Sequence, residues 1–243
     1  MKLLNGAMQR ALQFGSIVLA TSALVACGGS GDSPGATVSG TAAVGAAMAN
    51  ASIVLTCKNG TGSATANANG VYSATFKFDG PCAITASSGA TALHSFAVSA
   101  GTYNVTPLTE LLLSYLAGQL GTTVSGLLSG ISSNTAFQSA LSNSTVIANA
   151  EAAVAQLIKT RYGITLSSSS FLTVSFTPGQ PGADADLDTL LTAGAITANG
   201  QPAASLTAAA TAAGAAAPIS GGGNSGGATG GTGGTGGTGT TTK

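Results

Sequence analysis

The chain has 243 residues, with 7 basic and 7 acidic side chains and one histidine; 44% of its residues are apolar. Only 6% are charged, against about 25% in an average soluble domain, which argues against a cytosolic enzyme. A balanced charge with no Lys/Arg cluster and few aromatic residues leaves no footprint for neutralising phosphates, so nucleic acid is excluded as a partner. The chain opens with Lys2 and Arg10 ahead of an apolar stretch from Phe14 to Val25, followed by small residues. That layout predicts a secretory signal over residues 1–26. Its apolar run is far short of the roughly 20 residues that span a bilayer.

Leu24, Val25, Ala26 and Cys27 come directly after this run and resemble the lipobox of bacterial lipoproteins. The resemblance implies cleavage before Cys27 once diacylglycerol is attached to its sulfur, so the partner is a membrane, reached through lipid on Cys27. Gly28 rather than Asp follows the cysteine, which by the same resemblance implies the outer membrane of the cell envelope. The competing reading is an ordinary signal peptide with a chance cysteine. Each buried CH₂ contributes about 0.8 kcal/mol and stable anchoring takes more than one acyl chain, so a fully acylated Cys27 would hold the chain permanently.

Residues 27–36 are rich in Gly, Ser and Pro and read as a flexible tether. From residue 37 to 105 short segments of β pattern lie between Gly, Asn and Pro signals. The predicted strands are Thr37 to Thr41, Ala51 to Cys57, Gly62 to Ala66, Val71 to Phe78, Cys82 to Ala86, Ala92 to Val98 and Gly101 to Val105. Asn59-Gly60 and Asn69-Gly70 predict turns, because both residue types tolerate positive φ. Ile53, Leu55 and Cys57 should share one face, and Tyr72, Ala74 and Phe76 should oppose Val71, Ser73 and Thr75. Seven short strands at this spacing predict a small antiparallel sandwich. Three cysteines leave one over in an oxidising compartment. With Cys27 lipidated, Cys57 and Cys82 remain as a disulfide expected to stabilise the fold by about 3 kcal/mol, or else as two buried thiols.

Val38-Ser39-Gly40, Ala51 to Leu55, Ala64 to Ser73 with its Asn-Gly-x-Tyr step, and Pro81 to Ala86 resemble the carboxypeptidase regulatory-like family. That resemblance, over about 70 residues, implies a transthyretin-like sandwich that binds or spaces and carries no catalytic centre. The chain departs from the family pattern in its cysteine pair and in an expected hairpin from Ala92 to Val105. As a whole it also resembles a group of proteobacterial lipoproteins that join such a module to a helical region.

After the strands the period changes to about 3.6, and residues 106–214 predict a mainly helical module. Thr106 is placed to cap, Pro107 to start the first turn, and Glu110 to favour the positive helix end. Leu108, Leu111, Leu112, Tyr115 and Leu116 line one side until Gly118, read as the stop. Further helices are predicted over Asn134 to Leu141 and Thr145 to Tyr162, the latter with Ile147, Ala150, Val154, Leu157 and Ile158 on one face and Gly163 at its end. Phe171 to Phe176 reads as extended, Asp184 to Thr192 and Ser205 to Ala213 as helices, and residues 215–243 as a disordered Gly/Thr-rich tail. The fold class expected is α+β: a small antiparallel sandwich, then helices, between a disordered tether and tail.

Candidates for chemistry each face a plainer structural explanation. His94 is the one histidine, and Ser95 beside it points to the opposite face of a strand, so the two cannot form a dyad. Asp184-x-Asp186-x-Asp188 has Thr189 and Ala195 where a calcium loop needs Gly and Glu, so it is read as a helix start. Glu110 and Glu151 are single carboxylates on separate helices, though a hydrolase would require them, or the Asp184 group, in one cleft. Lys159 and Arg161 suit a helix C-terminus. Tyr72, Phe76, Phe78 and Tyr103 are either a sugar-stacking platform or core. With no catalytic, metal or cofactor-binding residue assigned, the sequence predicts a non-enzymatic, lipid-anchored envelope protein with a structural or interaction role. Its rivals are a carbohydrate or peptidoglycan binder and a hydrolase.

Overall fold

The structure is a computed structural model and describes residues 35–219. The expected signal segment 1–26, Cys27, almost all of the tether and the tail beyond residue 219 lie outside the described residues. Within them the chain has mixed α+β content, with two sheets and six helices.

The strands are β1 (Ala36–Thr41), β2 (Ser52–Thr56), β3 (Thr61–Thr65), β4 (Val71–Phe76), β5 (Cys82–Ser88), β6 (Thr91–Ala97) and β7 (Gly101–Thr102). One sheet has the order β4-β1-β7 and the other β3-β2-β5-β6. Alternation sets the register: Ile53 and Leu55 are buried between exposed Ser52, Val54 and Thr56, and Tyr72 and Ala74 between exposed Val71, Ser73 and Thr75. A slip of one residue would turn each set to the wrong face. A disulfide joins Cys57, after β2, to Cys82, the first residue of β5.

The two Asn-Gly turns differ. At Asn67–Gly70 the Gly70 N–H donates to the Asn67 carbonyl at 2.9 Å, the Asn67 carboxamide oxygen accepts from Asn69 and Val71, and Gly70 takes φ +73°. Neither Asn59 nor Gly60 takes positive φ. Four residues rather than two join β2 to β3, so the primed turn that demands positive φ is not needed, and Cys57 N–H donates to the Gly60 carbonyl at 2.9 Å instead. The expected Ala92 to Val105 hairpin also does not form. β6 pairs with β5 while β7 crosses to the other sheet and runs parallel to β1. Gly40 permits that crossing, because a Cβ there would lie 1.9 Å from the Tyr103 carbonyl oxygen.

The helices are α1 (Pro107–Gln119), α2 (Val124–Gly130), α3 (Thr135–Leu141), α4 (Ser144–Tyr162), α5 (Ala183–Thr192) and α6 (Ala204–Ala215). α1 is buried on every side from Pro107 to Gly118 and packs on β6, α2, α4 and α6. One cluster of buried side chains therefore runs from Val38 in β1 to Ala210 in α6, and strands and helices share a core. Thr106 precedes α1, but its hydroxyl has no partner; the Thr109 hydroxyl instead accepts the Thr106 N–H at 3.0 Å. Gly118 is not a stop. It lies inside α1 where a Cβ would stand 2.1 Å from the Thr211 carbonyl oxygen of α6. In α4, Ile147, Ala150, Val154 and Ile158 are buried, Asn143 caps the start, Lys159 and Arg161 occupy the last turn and Gly163 ends the helix at φ +71°. Leu157 is only partly buried.

Phe171 to Phe176 forms no strand. Its start is a turn closed by Thr173 and Val174 N–H groups on the Ser170 carbonyl, and Asn104 takes the carbonyls of Phe171 and Val174 that a sheet would have used. Residues 215–219, expected to begin the tail, are fastened to α1: the Gln119 side chain donates to the Ala217 carbonyl, and Ile219 N–H to the Gln119 carbonyl. Among the described residues no single helix is long and apolar enough to cross a membrane.

Candidate functional site

β6 is the edge of its sheet, so its outward N–H and C=O groups would otherwise be open to pairing with another chain. Side chains close them. The Glu110 carboxylate, in the first turn of α1, accepts the His94 backbone N–H at 2.6 Å, and the Thr109 hydroxyl donates to the His94 carbonyl at 2.8 Å. One residue pair back, the Gln201 amide donates to the Ala92 carbonyl at 2.7 Å. The same Glu110 oxygen stands 2.7 Å from Nδ1 of the His94 ring. Glu110 stands in the first turn of α1 as expected, and it also ties α1 to the sheet edge through two groups of one residue.

The pair stands in the wall of an open cavity of about 580 Å³. The sheet contributes Thr56, Ala83, Thr85 and His94, while α2 faces it with Val124, Ser125, Leu128 and Ser129. With Nδ1 engaged by a carboxylate, His94 keeps Nε2 for the cavity, where it makes no hydrogen bond among the described residues. The arrangement can present a hydrogen-bonding nitrogen among hydroxyls to a polar ligand. It does not join a hydroxyl to the imidazole, the link that nucleophilic catalysis of the serine type requires.

The hydrogen bond to Glu110 raises the His94 pKa above the ordinary histidine value, burial of the ring pulls the other way, and the carboxylate charge adds to the rise. A histidine raised in the folded state stabilises the fold fully below its unfolded pKa of about 6.5, and that contribution is lost as pH rises through the folded value. The His94 ring should therefore titrate above free histidine in an NMR pH titration, and Glu110→Gln should bring it back. An unchanged titration in Glu110→Gln would show that the pair is not coupled.

The other carboxylates lie elsewhere. Glu151 lines a second cleft, and its Oε1 accepts the Leu172 N–H at 2.9 Å. Asp184 is buried, with one oxygen accepting the Gly179 N–H at 2.6 Å, and Asp186 is held by the Ser167 N–H and hydroxyl. Burial pushes both Glu151 and Asp184 up from ordinary carboxyl values, the backbone hydrogen bond on each opposing it. The one cleft that would have gathered Glu110, Glu151 or the Asp184 group for hydrolysis is not what these contacts build. Among the described residues no group of three or more His, Cys, Asp or Glu side chains is placed to hold a metal ion. Of the four candidate platform aromatics, Tyr72 and Tyr103 are buried, and the Tyr72 hydroxyl donates to the Tyr103 carbonyl at 2.6 Å. Phe76 and Phe78 stay partly exposed, their ring centres 5.9 Å apart, and Phe76 lies over Gly62.

Comparison with protein-family models, with curated proteins and with solved structures finds no match to this chain. The fold is α+β, and its open cavity bears a histidine among hydroxyl and apolar side chains.

Proposed function

We propose that the chain is a lipid-anchored protein of the bacterial cell envelope that acts by binding a partner rather than by catalysis. The observation that carries this reading is the bridge between Cys57 and Cys82, which leaves Cys27, directly after Leu24-Val25-Ala26, as the one cysteine outside it. A structural disulfide suits an oxidising compartment, and a thiol at Cys27 suits thioether attachment of lipid. Gly28 after it favours the outer membrane. Two sheets that share a core support a transthyretin-like sandwich over residues 37–105, and with it the family resemblance to carboxypeptidase regulatory-like modules. The non-catalytic part rests on the carboxylates, which are separately engaged by backbone N–H groups.

In cells grown with an alkyne-tagged palmitate, the wild-type chain should take up label and Cys27→Ser should not. A wild-type chain without label, or label that survives Cys27→Ser, refutes the anchor. The hydroxyl-lined cavity beside His94 favours a second reading, a glycan-binding role. Retention on purified peptidoglycan sacculi would select it over a protein partner.

A further inference from the structure

A second cleft, of about 220 Å³, opens between the end of β6, α3, α4 and the turn at Leu172. Its inner wall is hydrocarbon from Phe96, Leu141, Ile147 and Leu172, all buried. The hydroxyl residues Ser142, Ser144 and Thr173 sit exposed at its mouth. One charged side chain lines it: Glu151, on the core-facing side of α4 and only 6% exposed. Oε1 of Glu151 is committed to the Leu172 N–H, whereas Oε2 makes no hydrogen bond among the described residues. The Tyr103 hydroxyl, the other ionisable group of the lining, is already bonded to Ser99.

A carboxyl buried among hydrocarbon, with a single backbone donor, is a costly feature to keep in the middle of a helix, where Leu or Gln would fit. Its chemistry selects what enters. An anion is repelled, a neutral hydrocarbon leaves Oε2 without a partner, and an ammonium supplies both charge and donors. Roughly 150 Å³ of apolar cavity accommodates a benzene ring, so this cleft has room for a ring or branched alkyl group with one polar appendage.

We propose that this cleft binds a small apolar amine, its ammonium on Glu151 and its hydrocarbon against Phe96, Leu141, Ile147 and Leu172. The site is separate from the His94 cavity and does not depend on the anchor at Cys27.

The test is an NMR titration of the ¹⁵N-labelled full chain with benzylamine, beside benzyl alcohol as an uncharged partner of the same shape. Benzylamine should produce saturable shifts at Glu151, Leu172 and Phe96, and the alcohol should bind about tenfold more weakly or worse, the difference one charge-assisted hydrogen bond makes. Glu151→Gln should reduce the amine to the level of the alcohol. Ala148→Trp, at an exposed position of the α4 wall, should block both. Shifts that do not saturate, equal binding of amine and alcohol, or wild-type binding by Ala148→Trp would each overturn the proposal. Should Glu151→Gln fail to fold, the amine-to-alcohol comparison and Ala148→Trp still decide it.

Discussion

Asn104→Leu is expected to lower the stability of the fold by about 4 kcal/mol, because three backbone groups, two of them in buried hydrogen bonds, lose their partner at once. The Asn104 side chain accepts the Thr41 N–H at 3.2 Å and donates to the carbonyls of Phe171 at 3.1 Å and Val174 at 2.7 Å. Its own N–H donates to the Leu172 carbonyl at 2.7 Å, so one fully buried residue pins β1 to the 171–174 turn. Leucine keeps the branching and heavy-atom count of asparagine and leaves no cavity, so the loss comes chiefly from the unpaired polar groups. Asn143→Ala, which removes an exposed helix cap with two donors, should cost only about 1 kcal/mol. Urea midpoints of the two variants compare them directly. Equal losses would mean that Asn104 is not the clamp described.

Gly214→Ala is expected to destabilise by about 3 kcal/mol, the upper end of ordinary overpacking. Intrinsic helix propensity predicts the opposite sign, since alanine is favoured over glycine by about 1 kcal/mol inside a helix. Packing wins because a Cβ at Gly214 would stand 1.9 Å from the Tyr115 carbonyl oxygen and 3.0 Å from the Gln119 nitrogen, both backbone atoms of α1 that no rotamer change can move. Gly118 faces α6 in the same way. α1 cannot simply retreat, being buried on all sides. A thermal melt in which Gly214→Ala is more stable than wild type would show that the two helices are not in backbone contact.

These two residues also mark where reading the sequence stops. The strands were legible because alternation and turn residues are local: Ile53 and Leu55 announce their shared face within five residues. α4 was legible for the same reason, from the spacing of Ile147, Ala150, Val154 and Ile158 to the stop at Gly163. α2 was not, since Val-Ser-Gly-Leu-Leu-Ser-Gly is short, carries two glycines and buries only Leu127. Gly118 looked like a terminator because the close approach that explains it comes from Thr211, far along the chain. The His94–Glu110 pair crosses from a strand to a helix, a distance no spacing rule covers. Sequence distance would not have found it either, since Asp79 lies as close to His94 along the chain as Glu110 does. The pairing of Cys57 with Cys82 was readable as one of two alternatives, a disulfide or two buried thiols, and the bridge is the one that forms.

The proposed attachment of this fold to a membrane through Cys27 can be read from the intact mass of the protein purified from membranes. The predicted mass is that of a chain beginning at Cys27 and bearing acyl groups on that residue, with Cys57 and Cys82 still joined as the disulfide. A mass that begins at Met1, or one with Cys27 present and unmodified, would contradict the claim.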